Sequence, residues 1–531
     1  MHGLHTALRS RRMTRRAVLS AVGGGALALA LTACRSQPNT GSTSTAVPSP
    51  TRSSGQQPIM LTPAETAPAG TIRTYTLEAG VSELALGSQR VRTFVYNGQL
   101  PGPELRVREG ETLRVELINR LPEPTTIHWH GIPVPNAQDG VPDVTQPAVA
   151  PGARFVYEFV LPVAGTYFFH PHVGLQLDRG LYGALIVEPR QESLSYDREY
   201  TLLLDDWLDG IRGTPEDAFQ QLVAGGHSDH AMGHGMGHGM GTMPMTPGMN
   251  SMPGMGGMPG MGIGEAPVEI APDLVYPVYL INGRPPEAPF VFTGKRGEVL
   301  RLRVINAASA TIFRVALVGH RLTVTHADGH PVEPLTGDVL QIGMGERYDV
   351  LVRLEQPGVW PLVAWAEGTE LAAQAVLRYE GNTGQPPLVR ARPRELAGEL
   401  LHALRFATAT PGTDSEPAVD LPIVLGGGMG QYVWTMNGQA FPQAEPIALQ
   451  RGQRVRFRLQ NMTTMPHPMH LHGHVFRVGD PARGAVRDTV LVHPMQALTI
   501  DWVADNPGQW AFHCHHLYHQ EAGMMRLVTI A

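Results

Sequence analysis

The pattern that most restricts how this chain can fold is an internal repeat. Asn97-Gly98, Asn282-Gly283 and Asn437-Gly438 each stand ahead of a glycine that opens a strand-like run ending in Asn, at residues 110–119, 297–306 and 452–461. The Gly-to-Asn spacing is the same in all three copies. Apolar and polar residues alternate within the runs, the period of a strand buried on one face. Self-similarity on this scale means one structural unit used repeatedly, and 531 residues accommodate three such units. Nothing comparable marks long amphipathic helices. Short strands punctuated by Gly and Pro suit Greek-key sandwiches or barrels. The expected fold is all-β, with domains at 70–192, 193–390 and 391–531.

The C-terminal copy carries the chemistry. It reads His513-Cys514-His515-His516-Leu517-Tyr518-His519-Gln520-Glu521-Ala522-Gly523-Met524. A thiolate, imidazoles and a thioether in so short a stretch form the ligand set of a blue-copper electron-transfer site, a His₂Cys plane with a distant axial Met. Neighbouring residues in a strand face opposite ways, so His513 and His515 point away from any metal on Cys514. A second centre on the other face would account for them. Three further groups supply its ligands: His128-Trp129-His130, His170-Pro171-His172, and His467-Pro468-Met469-His470-Leu471-His472. With His467, Cys514, His519 and Met524 assigned to the electron-transfer copper, eight imidazoles remain. They provide three ligands for each of two metals and two for a third. A lone His is ordinarily a surface or satisfied core residue, but four pairs, one bracketing a cysteine, are poorly described that way.

Aligning the copies shows which units hold metal. Residues 165–172 end in Phe169-His170-Pro171-His172 where the third copy has Phe512-His513-Cys514-His515. The middle copy has Val363, Ala364 and Trp365 at the ligand positions, so it keeps the fold without binding metal there and reads as a spacer. The first copy lacks only the thiolate site, because Pro171 stands for Cys514, Thr125 for His467, Gln176 for His519 and Leu181 for Met524. Domains one and three are therefore expected to meet face to face, each giving two His pairs to a shared cluster. His320 and His474 fall outside the pattern and read as structural.

From about Tyr75 onward the chain resembles the multicopper oxidases, the family of laccases and bacterial Cu(I) oxidases, through these four motifs. The resemblance implies cupredoxin-like domains and four copper ions. It also implies one-electron oxidation of a reductant coupled to four-electron reduction of O₂ to water. Residue by residue, His467, Cys514, His519 and Met524 match the type 1 site and His128 and His470 the type 2 site. His130, His170, His172, His472, His513 and His515 match the type 3 pair. Making water from O₂ consumes protons. Asp139, in Gln138-Asp139-Gly140, falls where the family has an acidic residue beside the cluster; the plainer description is an Asp-Gly turn. Gln520 stands where Cu(I) oxidases often have Glu, which leaves Glu521 as the nearest replacement.

Thr14-Arg15-Arg16 followed by the apolar residues 18–31 resembles a twin-arginine export signal, and Leu31-Thr32-Ala33-Cys34 resembles a lipobox. Residues 1–34 are thus expected to be a lipoprotein-type signal acylated at Cys34, anchoring the protein on the outer face of the cytoplasmic membrane. The alternative is an ordinary cleaved signal. Residues 35–69, rich in Ser, Thr, Pro and Gly, read as a flexible linker. Cys34 and Cys514 are the only cysteines; acylation of one and metallation of the other leave no disulfide. With 41 basic and 47 acidic residues and no basic block beyond the signal, nucleic acid is not an expected partner.

Residues 227–262 contain ten Met and four His among Gly and Pro. A Met stripe is normally core packing, but few branched aliphatics accompany these. Thioethers prefer Cu(I) and imidazole accepts either copper oxidation state, so the segment reads as a soft-metal capture insertion; chance composition in a linker is the competing description. The reductant is accordingly expected to be Cu(I), in copper tolerance. A phenol is the alternative, and a non-enzymatic copper-storage lipoprotein is the reading of a different class.

Overall fold

The turns that define the repeat are built alike. In this computed structural model Asn97, Asn282 and Asn437 all have φ of 52°, and the glycines after them have φ of 72°, 67° and 74°. Two successive positive φ values are the signature of a type I′ hairpin turn, for which Asn-Gly is the favoured pair. Each Asn side chain also bonds the backbone of the strand beside it: Thr76 O, Thr201 O and Pro422 O at 2.9, 2.9 and 3.0 Å. The Asn that ends each repeated strand is a second common latch. Asn119, Asn306 and Asn461 accept from the N–H two residues on at 2.9, 3.0 and 2.9 Å. The repeats thus recur as one local structure set by the same side chains.

The described residues are 70–225, 268–385, 388–412, 416–428 and 430–531. The expected export signal, Cys34, the linker and the Met/His-rich insertion lie outside them. The strands form six sheets. Residues between Ile72 and Glu188 make two sheets of four strands. Those between Arg198 and Leu401 make two of six. Those from Val419 to Ile530 make one of six and one of five. In the first of each pair the opening strand runs parallel to the repeated strand, Ile72 against Thr112, Leu300 against Arg198 and Val419 against Val455. A parallel neighbour requires the chain to leave the sheet between the two strands, and Leu105–Arg108 lies meanwhile in the facing sheet. This gives the all-β, cupredoxin-like architecture. Leu400–Leu401 pairs with Val339–Leu340, so the middle sheets extend beyond the boundary expected at residue 390. Among the described residues no helix is long and apolar enough to cross a membrane.

Thr112–Asn119 and Arg454–Asn461 alternate buried and exposed residues as expected. Val299–Asn306 does not: every residue after the first is buried. Its polar positions, Arg301 and Arg303, are covered by neighbouring elements. Arg303 reaches Glu199 at 2.7 Å and donates to Thr166 Oγ1 of the first unit at 2.7 Å, and Arg301 meets Asp349 at 2.5 Å. Buried charges persist only when paired. The middle repeat therefore has an apolar face in its own core and an ionic face against the first unit. A single apolar cluster also runs through the first and third sheet pairs, from Leu77 to Val187 and from Ile423 to Ile530.

Candidate metal centre

Strand alternation sorts the candidate ligands. His128–His130 pairs with Gly165–His170 in the register His128 to His170 and His130 to Phe168; Trp129 between them is buried in the apolar cluster. In the third unit His470 faces His513 and Met469 faces Cys514. Cys514, Met469 and Met524 lie in the same cluster, while His513 and His515 project to the other side of the strand.

On the cluster side, Cys514 Sγ is 3.6 Å from His467 Nδ1 and 3.9 Å from His519 Nδ1, and those two nitrogens are 3.1 Å apart. All three residues are buried. Met524 is buried too, and its loop is pinned by Met524 N to His519 O at 2.9 Å and Cys514 N to Met524 O at 3.0 Å. Burial pushes the thiol pKa up. Burial and the neighbouring His516 bring His519 down to about 4, and burial with His519 holds His467 well below the usual imidazole value. Neutral imidazoles with free lone pairs suit a metal; loading one would release the thiol proton. In the first unit the equivalent position is closed by Thr125 Oγ1 donating to Gln176 Oε1 at 2.7 Å.

On the opposite side, the eight imidazoles form overlapping groups that draw on both the first and third units. His172 joins His472 and His513; His513 Nε2 lies 3.5 Å from His172 Nε2 and 3.0 Å from His472 Nε2. His130 and His170 join His515. His128 meets His470 with ring centroids 5.7 Å apart. The second ring nitrogen of most is tied down. His128 donates to Asp139 O and His470 to Asp488 O, each at 2.9 Å; His170 donates to Pro171 O at 2.9 Å and His513 to Cys514 O at 3.0 Å. His472 Nδ1 bonds Asp139 Oδ2 at 2.9 Å and His130 Nε2 bonds Asp488 Oδ1 at 3.1 Å. Left over, buried and without a partner, are Nε2 of His128, His170 and His470, Nδ1 of His130, and both nitrogens of His515. An unmatched buried polar atom costs about 1–3 kcal/mol, so this many in one place mark a site completed by metal. Burial, then neighbouring histidines, bring His172 down to about 3 and hold His170, His472, His513 and His515 well below the ordinary value. Imidazoles whose far nitrogen is anchored to a carbonyl or carboxylate are the usual arrangement at metals.

Asp139 is buried between His128 and His472. Glu521 is not brought to the cluster: it is exposed at the end of the helix Leu517–Glu521 and accepts from Gln520 at 3.2 Å. His320 bonds Tyr379 Oη at 2.7 Å and His474 bonds His472 O at 3.1 Å, structural roles both.

Two carboxylates escaped the sequence reading. Asp488 contacts His130 and His470 and is gripped by Arg347. Burial alone would raise its pKa, but the Arg347 guanidinium and its hydrogen bonds hold it well below the carboxylate range. A charged pair, Arg487-Asp488, inside an otherwise apolar run was the available signal. Asp273 bonds His519 Nε2 at 3.2 Å and His516 Nε2 at 3.1 Å, and accepts from Tyr432 Oη at 2.6 Å; no local pattern announced it. Both Arg347 and Asp273 precede the third unit, so the middle of the chain does more than space the others.

Models of the multicopper oxidase family match residues 81–192, 198–382 and 415–531. Multicopper oxidase MmcO of Mycobacterium tuberculosis is 40% identical over 98% of this chain and 97% of its own length. Copper resistance protein A of Escherichia coli is 29% identical over 84% of this chain and 90% of its own. The crystal structure of a multi-copper oxidase from Pseudomonas thermotolerans superimposes with a TM-score of 0.64 at 28% identity, covering 87% of this chain and all of that one.

Proposed function

Because the chain belongs to the multicopper oxidase family, an oxidoreductase family with copper as cofactor, we propose that its reductant is Cu(I) and its role copper tolerance outside the cytoplasmic membrane. The observation that carries the choice of reductant is the insertion at 227–262, with ten thioethers and four imidazoles. Its relative in Escherichia coli bears the name copper resistance protein A, in keeping with this reading. The export signal and acylation at Cys34 belong to the same proposal.

His467, Cys514, His519 and Met524 would hold the type 1 ion. His128 and His470 would hold type 2. His130, His170 and His515 would hold one type 3 ion, and His172, His472 and His513 the other. Copper bound there would supply one-electron acceptance at Cys514 and four-electron reduction of O₂ at the shared cluster. The chain's own contribution is geometric. Cys514 is one peptide bond from both His513 and His515, so the two centres are covalently joined by the shortest route a strand allows. Domains one and three, taken as the outer sheet pairs, clamp the cluster between them and exclude water. Asp139, between two cluster histidines, holds a carboxylate where protons are consumed.

The test is steady-state O₂ uptake by the copper-loaded protein with Cu(I), Fe(II) and a phenol. We expect Cu(I) to be turned over with the highest kcat/KM. Deletion of 227–262 should lower that value far more than the value for a bulky phenol. Equal losses would remove the capture role, and no turnover with any donor would favour storage.

A further inference from the structure

The third unit has two sheets, and the six-stranded one, which does not contain Cys514, carries a hollow on its outer face. Across its strands Pro422 pairs with Arg458, Arg458 with Thr499 and Gln460 with Ala497. These positions alternate with Leu459 and Leu498, which are buried in the core, so their side chains face outward. Pro422, Ala497 and Thr499 are short and leave room above the sheet. Residues 404–407, the strap that leads in from the middle unit, form another part of the wall. The strap is held at one end, where Thr408 N–H donates to Arg483 O at 2.8 Å and Glu333 N–H to Ala407 O at 2.9 Å. The enclosed volume is about 770 Å³, within the range of small-molecule sites.

The wall is apolar at Leu404, Pro422 and Ala497 and basic at Arg405, Arg458 and Arg483, all three of which are exposed. Asp480 is the one acidic side chain among the described residues of the wall, and it already accepts from Ala482 N–H and Arg483 N–H at 2.8 and 2.9 Å. Each guanidinium has five N–H donors. Arg405 uses one on Leu400 O at 2.7 Å and one on Glu399 at 3.0 Å, and Arg458 uses one on Asp420 at 3.1 Å. Arg483 reaches only Glu333, at 3.6 Å, and both groups are exposed, a pairing that contributes little. Donors are thus left over beside an apolar surface. A guanidinium takes a carboxylate in its fork and stacks on an aromatic face. An inorganic anion would leave the apolar wall wet, and a neutral hydrocarbon would leave the donors unused.

We propose that this hollow is a binding site for a small aromatic carboxylate, its ring against Leu404, Pro422 and Ala497 and its carboxylate on Arg458 and Arg483. The bound molecule ties the strap to the sheet. It takes no part in the copper chemistry, and the proposal holds whichever reductant the enzyme uses.

The probe is naphthalene-2-carboxylate, titrated calorimetrically into the full-length, copper-loaded protein. It should saturate one site per chain, and the neutral 2-naphthamide should bind at least tenfold more weakly. Arg458→Gln/Arg483→Gln should weaken the carboxylate at least tenfold, the scale of a lost charge-assisted hydrogen bond. Ala497→Trp, an aromatic residue at a strand position, should fill the hollow and abolish binding. The blue absorption should stay at the parent level in both variants, which separates loss of the site from loss of the fold. If Ala497→Trp does not keep that absorption, the arginine variant decides. No saturable binding by the parent protein, or an affinity unchanged in the variants, overturns the site. Equal binding of the amide, or displacement of the probe by equimolar phosphate, overturns the assignment of an aromatic carboxylate.

Discussion

Arg347 grips Asp488 with two parallel hydrogen bonds, 2.7 Å from Nη1 to Oδ1 and 2.6 Å from Nη2 to Oδ2, across the join between the middle and third sheet pairs. The same Oδ1 bonds His130 Nε2 at 3.1 Å, which turns Nδ1 of that ring toward the cluster. The next residue, Gly131, has φ of +85°, and a Cβ there would lie 2.3 Å from Arg347 Nη2 and 2.5 Å from Asp488 Oδ2. The His-Trp-His-Gly motif thus ends in glycine because an ion pair from two other parts of the chain passes against it.

Asp488→Asn should leave the Arg347 charge poorly matched in a buried setting, a change that costs about 3–5 kcal/mol when a pair is broken. It should also weaken cluster copper binding by roughly 10–100-fold. Metal analysis should show copper lost from the cluster while the blue absorption per protein is kept, with a lower Tm. Full cluster occupancy at an unchanged Tm would refute the positioning role.

Cys514→Ser should abolish the blue absorption and turnover with every reductant, because an alkoxide does not replace a thiolate at such a site. Copper held by the eight imidazoles should remain, detectable by metal analysis. Parent-level oxidation of any donor would sink the proposed route.

Asp139→Asn keeps an oxygen able to accept from His472 but removes the ionisable proton site. Copper content should therefore be preserved while kcat for O₂ consumption falls by about 10²-fold, the scale of one general acid–base group. An unchanged kcat would assign Asp139 to orientation alone.

His402 and His493 are buried, and burial first, then neighbouring positive charge, brings each down to about 4. Both bind fewer protons folded than unfolded, so their contribution is fully present above about pH 6.5 and is lost as pH falls through that value toward 4. The loss is at most about 3 kcal/mol for each. Thermal melts of the parent and of His493→Gln from pH 7 to pH 4 should show a shallower fall in Tm for the variant; parallel curves would rule the residue out.

The Asn-Gly turns were legible because the pair of positive φ values they adopt is a property of those two residues, although the Asn side chains bond strands 15 to 81 residues away. The ligand set was legible for a related reason. Strand alternation assigns neighbouring side chains to opposite faces, so His513-Cys514-His515 implied two centres before any tertiary contact was considered. The burial of Val299–Asn306 on both faces was not legible, since the partners of Arg301 and Arg303 come from other elements.

By itself the sequence determined an all-β chain of three repeats and pointed to the candidate copper ligands and the two units proposed to supply them. Only the tertiary structure decided which of the eight imidazoles lie within reach of one another, and which ring nitrogens are left without a partner. It also decided that Asp488, 358 residues from His130 in sequence, orients that ring, and that Asp273 joins His516 to His519. The division has one physical cause. Periodicity constrains a side chain relative to its own strand, whereas its hydrogen-bond partner across an interface depends on how separate sheets pack, and packing leaves no local period in the sequence.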